Sequence, residues 1–240
     1  MKPLLLISIV TLFALDVNAT ARIALTGVVA SGKGTQSEKL QKYYKIPYFG
    51  FGEIIREEAK KDTTLGKAIQ DSGIKSKTTP IWVVDEIVKK TIAKAENGFI
   101  WDDRLYAFEY FYNLFNEKNW DVKVIFLDAR PEIQHQRANH RYWCATECKV
   151  SNFTKRGCNT CDKTEVVRNE DNKEKEFEAR ITKERQDIES VLNFWKNKPN
   201  FKYIDTSNMT KEEVFTEIKN FVGEQNELKV GESGEAKSDL

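Results

Sequence analysis

Nine residues, Gly27 to Thr35 (GVVASGKGT), restrict what this chain can fold into more than any other stretch. Gly27, Gly32 and Lys33 stand at the spacing of a loop that wraps a phosphate: a glycine, four residues, then a Gly-Lys pair. Lacking β-carbons, such glycines let backbone N–H groups turn towards phosphate oxygens, and the helix that follows offers the positive end of its dipole. The lysine adds a point charge that can follow a phosphoryl group in transit. A loop of this kind needs a strand before it and a helix after it, and the flanks supply both. Ala21 to Thr26 (ARIALT) is a short apolar run, read as a buried parallel strand. Gly34 to Tyr44 carries Leu40, Tyr43 and Tyr44 at helical spacing among Lys and Glu. A glycine turn with no further role would need neither the lysine in register nor this order of elements. Gly34 displaces the threonine of the general pattern by one place, to Thr35.

The remaining pattern alternates strands with helices. Phe51 to Ala59 and Leu65 to Ser72 read as short helices, and Ile81 to Ala95 as a longer amphipathic one. Gly98 to Trp101 and Val122 to Leu127 read as strands that end in acids, Asp102-Asp103 and Asp128. Pro131 opens a helix carrying Gln134, Arg137 and Arg141. Lys173 to Trp195 is helical, Phe201 to Ile204 a final strand and Lys211 to Val222 the last helix. The whole predicts an α/β fold on a parallel sheet. The Gly-, Glu-, Ser- and Lys-rich tail, 223–240, has the composition of a disordered segment. Lys and Arg total 38 against 37 Asp and Glu, a net charge of +1. This balance gives no sign of a nucleic-acid or membrane-surface binder, so anionic ligands must be gathered by local Arg and Lys clusters.

Residues 1–20 combine Lys2, an apolar run from Pro3 to Leu15 and a small-residue site around Ala19, which is the pattern of a secretory signal. The run is short for a membrane span. The alternative is an extension of a cytosolic protein upstream of the first core strand, and a cytoplasmic location is the expectation.

All four cysteines, Cys144, Cys148, Cys158 and Cys161, fall in one polar stretch poor in periodicity. C-x3-C and C-x2-C on two knuckles suit a tetrahedral, structural Zn²⁺ site that could fold a segment too small for its own core. Four unliganded thiols and a disulfide pair are the alternatives. His135 and His140 read as surface helix residues rather than ligands.

Gly32 to Gln36 (GKGTQ) is the form of phosphate loop that resembles the adenylate kinase family. Further residues fall at family spacing: Lys45-Ile46-Pro47, Gly52 to Arg56, Thr64 to Lys67, Pro80, Asp102 with Arg104, and the Arg137/Arg141 pair. Cys158 to Cys161, with Arg168 to Asp171 behind them, resemble the lid of zinc-bearing members. The resemblance runs from about Ala21 to Val222. It implies a P-loop NTPase-type parallel five-stranded sheet flanked by helices, an insertion for the monophosphate at about 50–80 and a lid at about 142–175. It further implies phosphoryl transfer from ATP with Mg²⁺ to a nucleoside monophosphate, with AMP expected and CMP or UMP as alternatives, by a monomer with no nucleic-acid partner. A nucleotide-binding protein without turnover is the alternative of another kind.

By the same resemblance Gly27, Ala30, Ser31, Gly32, Lys33, Gly34 and Thr35 hold donor phosphates, together with Arg137 and Arg141. Phe51, Arg56, Arg104, Arg168 and Arg180 face the acceptor, and Asp102 or Asp103 orders water around Mg²⁺. Lys33 and Arg104, Arg137, Arg141, Arg168 and Arg180 form the catalytic set, because a planar guanidinium grips phosphate oxygens in pairs. A surface or ion-paired state is the ordinary one for any single arginine. One residue is inserted between Arg168 and Arg180 relative to the family pattern. Departures cluster on the acceptor side: Phe51 replaces a threonine, the Asp-Gly-Phe-Pro-Arg segment shortens to Asp102-Asp103-Arg104, and Phe108 replaces a glutamine. In the loop, Val29 and Ala30 replace proline and glycine, and Ala30 is expected to resist a positive φ.

Overall fold

The computed structural model describes residues 21–95, 97–139, 142–143, 151–152, 166–167 and 174–223. In chain order the elements are β1 (Arg22–Gly27), α1 (Lys33–Tyr44), β2 (Tyr48–Gly50), α2 (Phe51–Glu58), α3 (Thr64–Asp71), α4 (Ile81–Lys90), β3 (Phe99–Asp102) and α5 (Phe108–Glu117). They continue with β4 (Val122–Asp128), α6 (Pro131–Asn139), β5 (Tyr142–Trp143), β6 (Ser151–Asn152), β7 (Val166–Val167), α7 (Glu174–Trp195), β8 (Phe201–Asp205) and α8 (Lys211–Val222). Five strands form one sheet in the order β2-β3-β1-β4-β8, every pairing parallel. This is the five-stranded parallel α/β sheet expected from the sequence. β5, β6 and β7 form a separate antiparallel sheet.

Side-chain alternation along β1 builds a core on each face of the sheet. Ile23 and Leu25 join Leu40 and Tyr44 of α1 and Val214 and Ile218 of α8. Ala24 faces the other way, into a larger cluster that includes Trp101, Phe126, Val84, Phe111 and Trp195. Both faces are covered, as a parallel sheet requires. Each fully buried Leu, Ile or Phe contributes about 1.5–3 kcal/mol of transfer free energy, so these clusters hold the sheet together.

Three elements differ from the sequence pattern. β2 has three residues, too few to show a period, and is ordered by pairing with β3. α5 (FEYFYNLFNE) carries no helical expectation, because its aromatics favour strands locally. Burial of Phe111 and Phe115, four residues apart on one face, decides it. The helix expected over Ile81 to Ala95 stops at Lys90 and is followed by a 3₁₀ turn, Ile92–Lys94.

β1 is central, and the chain crosses it to pass from β3 to β4. Ligands of open parallel sheets bind outside the carboxyl ends of the strands at such a switch point. The Gly27 to Thr35 loop leaves β1 there. Among the described residues no helix is long and apolar enough to cross a membrane.

Candidate functional site

The loop begins where β1 lies against β4. Gly27 pairs with Leu127 and has φ +134°, and a β-carbon on it would lie 2.0 Å from the Leu127 carbonyl oxygen. No side chain other than hydrogen fits. Gly32, with φ +100°, occupies the N-cap of α1, and no side chain caps that helix. Its first turn holds no acidic residue. No carboxylate within that turn competes for the positive end of the dipole, which suits an anion. Gly34 and Thr35 lie in that turn, and Ser31 is buried with its hydroxyl donating to Val28 O at 2.8 Å.

Ala30 departs from the expectation that alanine would resist a positive φ: it sits at φ +56°. The reason lies outside the loop. Gln134 Nε2 of α6 donates to Val29 O at 2.6 Å and Arg137 Nη1 donates to Ala30 O at 3.2 Å. The Thr206 hydroxyl lies 3.0 Å from Ser31 O and 2.8 Å from Asp128 O, and can donate to one at a time. Three successive loop carbonyls are thus held from outside, and these contacts offset a left-handed alanine's cost of about 1–2 kcal/mol.

Lys33 curls back over the loop, its Nζ donating to Gly27 O at 3.0 Å and Val28 O at 2.9 Å. Arg137 also donates through Nη1 to Thr206 Oγ1 at 2.8 Å and through Nη2 to Thr206 O at 2.7 Å. Burial lowers its pKa and Asp205 acts in the opposite sense, yet a guanidinium remains cationic at neutral pH. Asp205 is itself held below the usual carboxylate range, chiefly by the Ser207 hydroxyl and then by the Ser207 N–H.

A second group of arginines meets on α7. Arg104 Nη2 donates to Glu184 Oε1 at 2.6 Å and Arg180 Nε donates to the same oxygen at 2.9 Å. Two residues separated by 76 positions in the sequence therefore share one largely buried carboxylate. Arg104 Nε and Glu184 Oε2 are buried without a hydrogen-bond partner among the described residues. Next to them Tyr106 is pushed up to about 12, mainly by burial.

Asp102 ends β3 and accepts a hydrogen bond from Tyr48 of β2 at 3.2 Å. Burial, then the Asp102 charge, pushes the Tyr48 hydroxyl's pKa well up. Asp103 is buried, and its N–H donates to Leu25 O at 3.2 Å, which brings the acidic pair to the end of β1. Arg56 is exposed on α2. Phe51 is enclosed by the core, 1% exposed, with its ring 5.5 Å from Trp101. Phe108 is half-buried and packs on Phe194 at 4.6 Å.

His135 differs from a plain surface residue: its Nε2 meets Glu178 of α7 and its ring lies edge-on to Phe177. Arg141, Arg168, His140 and the four cysteines lie outside the described residues. Among the described residues no group of three or more His, Cys, Asp and Glu side chains is placed to hold a metal ion.

Nothing in the sequence pattern marks Gln134, Thr206, Glu184, Arg185 or Tyr48 for a site role. Each is an ordinary polar residue until packing brings it to the loop or the arginines. The spacing of Arg180 and Glu184, four apart on one helix, was the signal available for that pair.

The model of the adenylate kinase family matches residues 25–200. The adenylate kinase of Mesoplasma florum is 31% identical over 207 residues, covering 82% of this chain and 97% of that protein. The adenylate kinase of Rickettsia africae (strain ESF-5) is 25% identical over 207 residues, covering 82% of this chain and 96% of its own length.

Proposed function

The chain belongs to the adenylate kinase family, and from that premise we propose that it moves the γ-phosphate of ATP onto AMP to give two ADP. An enzyme of this family is a nucleoside monophosphate kinase, a phosphotransferase. The observation that carries the reading is the assembly of Lys33 and Arg137 on one phosphate loop at the carboxyl end of the central strand.

In the proposed reaction an AMP phosphate oxygen attacks the γ-phosphorus in line as the bond to the β–γ bridging oxygen breaks, and ADP leaves. The Gly27 to Thr35 amides and Lys33 hold the donor phosphates, with Arg137 and Arg141. Arg56, Arg104, Arg168 and Arg180 take the acceptor phosphate and the moving group, because catalysis of this step is largely positioning and charge stabilisation. Arg104 and Arg180 then exchange part of their contact with Glu184 for phosphate oxygens. Mg²⁺, bound with ATP, supplies neutralisation of phosphate charge. Asp102 and Asp103 would hold it through water, since hard carboxylate oxygens suit that ion. The Cys-bearing segment at about 142–175 is proposed to close over the nucleotides and exclude water, which would otherwise accept the phosphoryl group.

Cys144, Cys148, Cys158 and Cys161 form a donor set that fits a structural Zn²⁺, with no part in the chemistry. Elemental analysis of the purified protein tests this; a metal-free protein whose activity is indifferent to added zinc and chelator overturns it. A monomer in the cytoplasm is the accompanying expectation, and N-terminal sequencing of the mature protein from its native cell decides whether residues 1–20 are removed.

The test of function is ADP formation from ATP with each nucleoside monophosphate in turn. AMP is expected to give the highest kcat/KM; no ADP above background with any acceptor overturns the reading. Phe108 packed on Phe194 where a hydrogen-bonding glutamine was expected favours a second acceptor, CMP or UMP, because a site without hydrogen-bond readout discriminates bases weakly.

A further inference from the structure

Gln134 is wholly buried, yet it is polar and lies on α6, away from the loop in sequence. Both ends of its amide are used. Nε2 donates to Val29 O at 2.6 Å, and Oε1 accepts from Arg185 Nη2 at 3.1 Å. Arg185 is fixed in turn at the end of β4, donating to Asp128 Oδ1 at 3.2 Å and to Ala129 O. The guanidinium can only donate, so it sets which end of the amide faces Val29.

Val29 O belongs to the peptide that carries the Ala30 N–H. That peptide is planar and trans, so fixing the carbonyl also fixes the N–H on the opposite side. Ala30 at φ +56° is disfavoured by about ten-fold or more when nothing holds it. A glycine would adopt this conformation without penalty.

We infer that Gln134, oriented by Arg185, is a positioning residue that clamps the Val29–Ala30 peptide in the phosphate-binding conformation, doing from α6 what a glycine at position 30 would do within the loop. The inference rests on reading Gly27 to Thr35 as the cradle for ATP phosphates. Arg185 thereby also links α7 to the loop, so the clamp spans β4, α6 and α7.

The test compares the full-length wild type with Gln134→Met, Gln134→Glu, and Gln134→Met combined with Ala30→Gly. Kd for ATP is read by titration calorimetry, and KM for ATP and AMP and kcat by ADP formation. Gln134→Met is expected to weaken ATP binding by about ten-fold, the size of one buried hydrogen bond lost, while KM for AMP changes by less than about two-fold. Adding Ala30→Gly is expected to restore most of the ATP affinity. Gln134→Glu keeps the volume and the Arg185 partner but sets a carboxylate against Val29 O. Its ATP affinity should fall at neutral pH and recover as the carboxyl protonates, and it serves if Gln134→Met does not fold. A merely structural role predicts lower melting temperatures, equal effects on both nucleotides and no rescue by Ala30→Gly. Wild-type affinity in both Gln134 variants, or failure of the rescue, overturns the clamp. A wild type that binds ATP without forming ADP overturns the proposed function instead, and the Kd series still decides the clamp.

Discussion

Replacing Gly27 by alanine should damage folding itself, and the geometry fixes the size of the effect. A β-carbon at this position lies 2.0 Å from Leu127 O and 2.9 Å from Leu127 N and C, all of them backbone atoms of β4. Contacts under 3.0 Å are essentially never seen, so β1 and β4 would have to separate by about 1 Å in the middle of the sheet. No rotamer change relieves this, because neither partner is a flexible side chain. Overpacking of this kind costs about 1–3 kcal/mol, and an L-residue at φ +134° adds about 1–3 kcal/mol of backbone strain. The sum, about 2–6 kcal/mol, is a large share of a typical domain's stability of about 5–15 kcal/mol. For a domain of this size it corresponds to a melting temperature lower by roughly 4–24 °C. The assay is thermal unfolding without nucleotide, since ligand binding would shift both transitions. Gly34→Ala is the internal control: a β-carbon there meets nothing within 4 Å. It should leave the melting temperature unchanged or raise it slightly, by helix propensity of about 0.5 kcal/mol. A Gly27→Ala protein melting within about 2 °C of the wild type would refute the steric argument.

Arg137→Lys keeps the charge but cannot span Ala30 O, Thr206 Oγ1 and Thr206 O with one planar fork. A fall in kcat of about 100-fold is expected for ADP formation from ATP and AMP, of the order seen when one preorganised donor is removed. Asp205, Asp85 and Glu213 all titrate below their ordinary values in the folded protein, so folding favours their ionised forms. Their contribution to stability is present above the unfolded values of 3.8 and 4.5 and is lost as pH falls through the lower folded ones. Ser207→Ala removes the main cause at Asp205, so urea unfolding should show a deficit near pH 6 that shrinks towards pH 2.5. Thr210 and Glu213 form a reciprocal cap at the start of α8, with Thr210 Oγ1 accepting at 3.2 Å and Glu213 Oε2 accepting at 2.7 Å. Thr210→Ala should cost about 1 kcal/mol, or a melting temperature lower by roughly 2–4 °C.

The phosphate loop, the order of strand, loop and helix, and the parallel sheet are all legible in the amino-acid sequence. These follow from local rules: glycine spacing, apolar runs long enough to bury and helical periodicity in α1, α7 and α8. Residue types also announced the acids ending β3 and the arginine at position 137. Short or aromatic elements were not legible, because three residues of β2 show no period and the aromatics of α5 suit a strand as well as a helix. Tertiary structure alone decided that Ala30 adopts a left-handed conformation, since the groups that hold it come from residues 134, 137 and 206. It likewise decided that Arg104 and Arg180 share Glu184 and that a buried Gln134 reaches Val29. The physical reason is range. A glycine's freedom or a helix's period is a property of neighbours in sequence, whereas a buried polar side chain gains its role from partners that only packing brings within 3 Å.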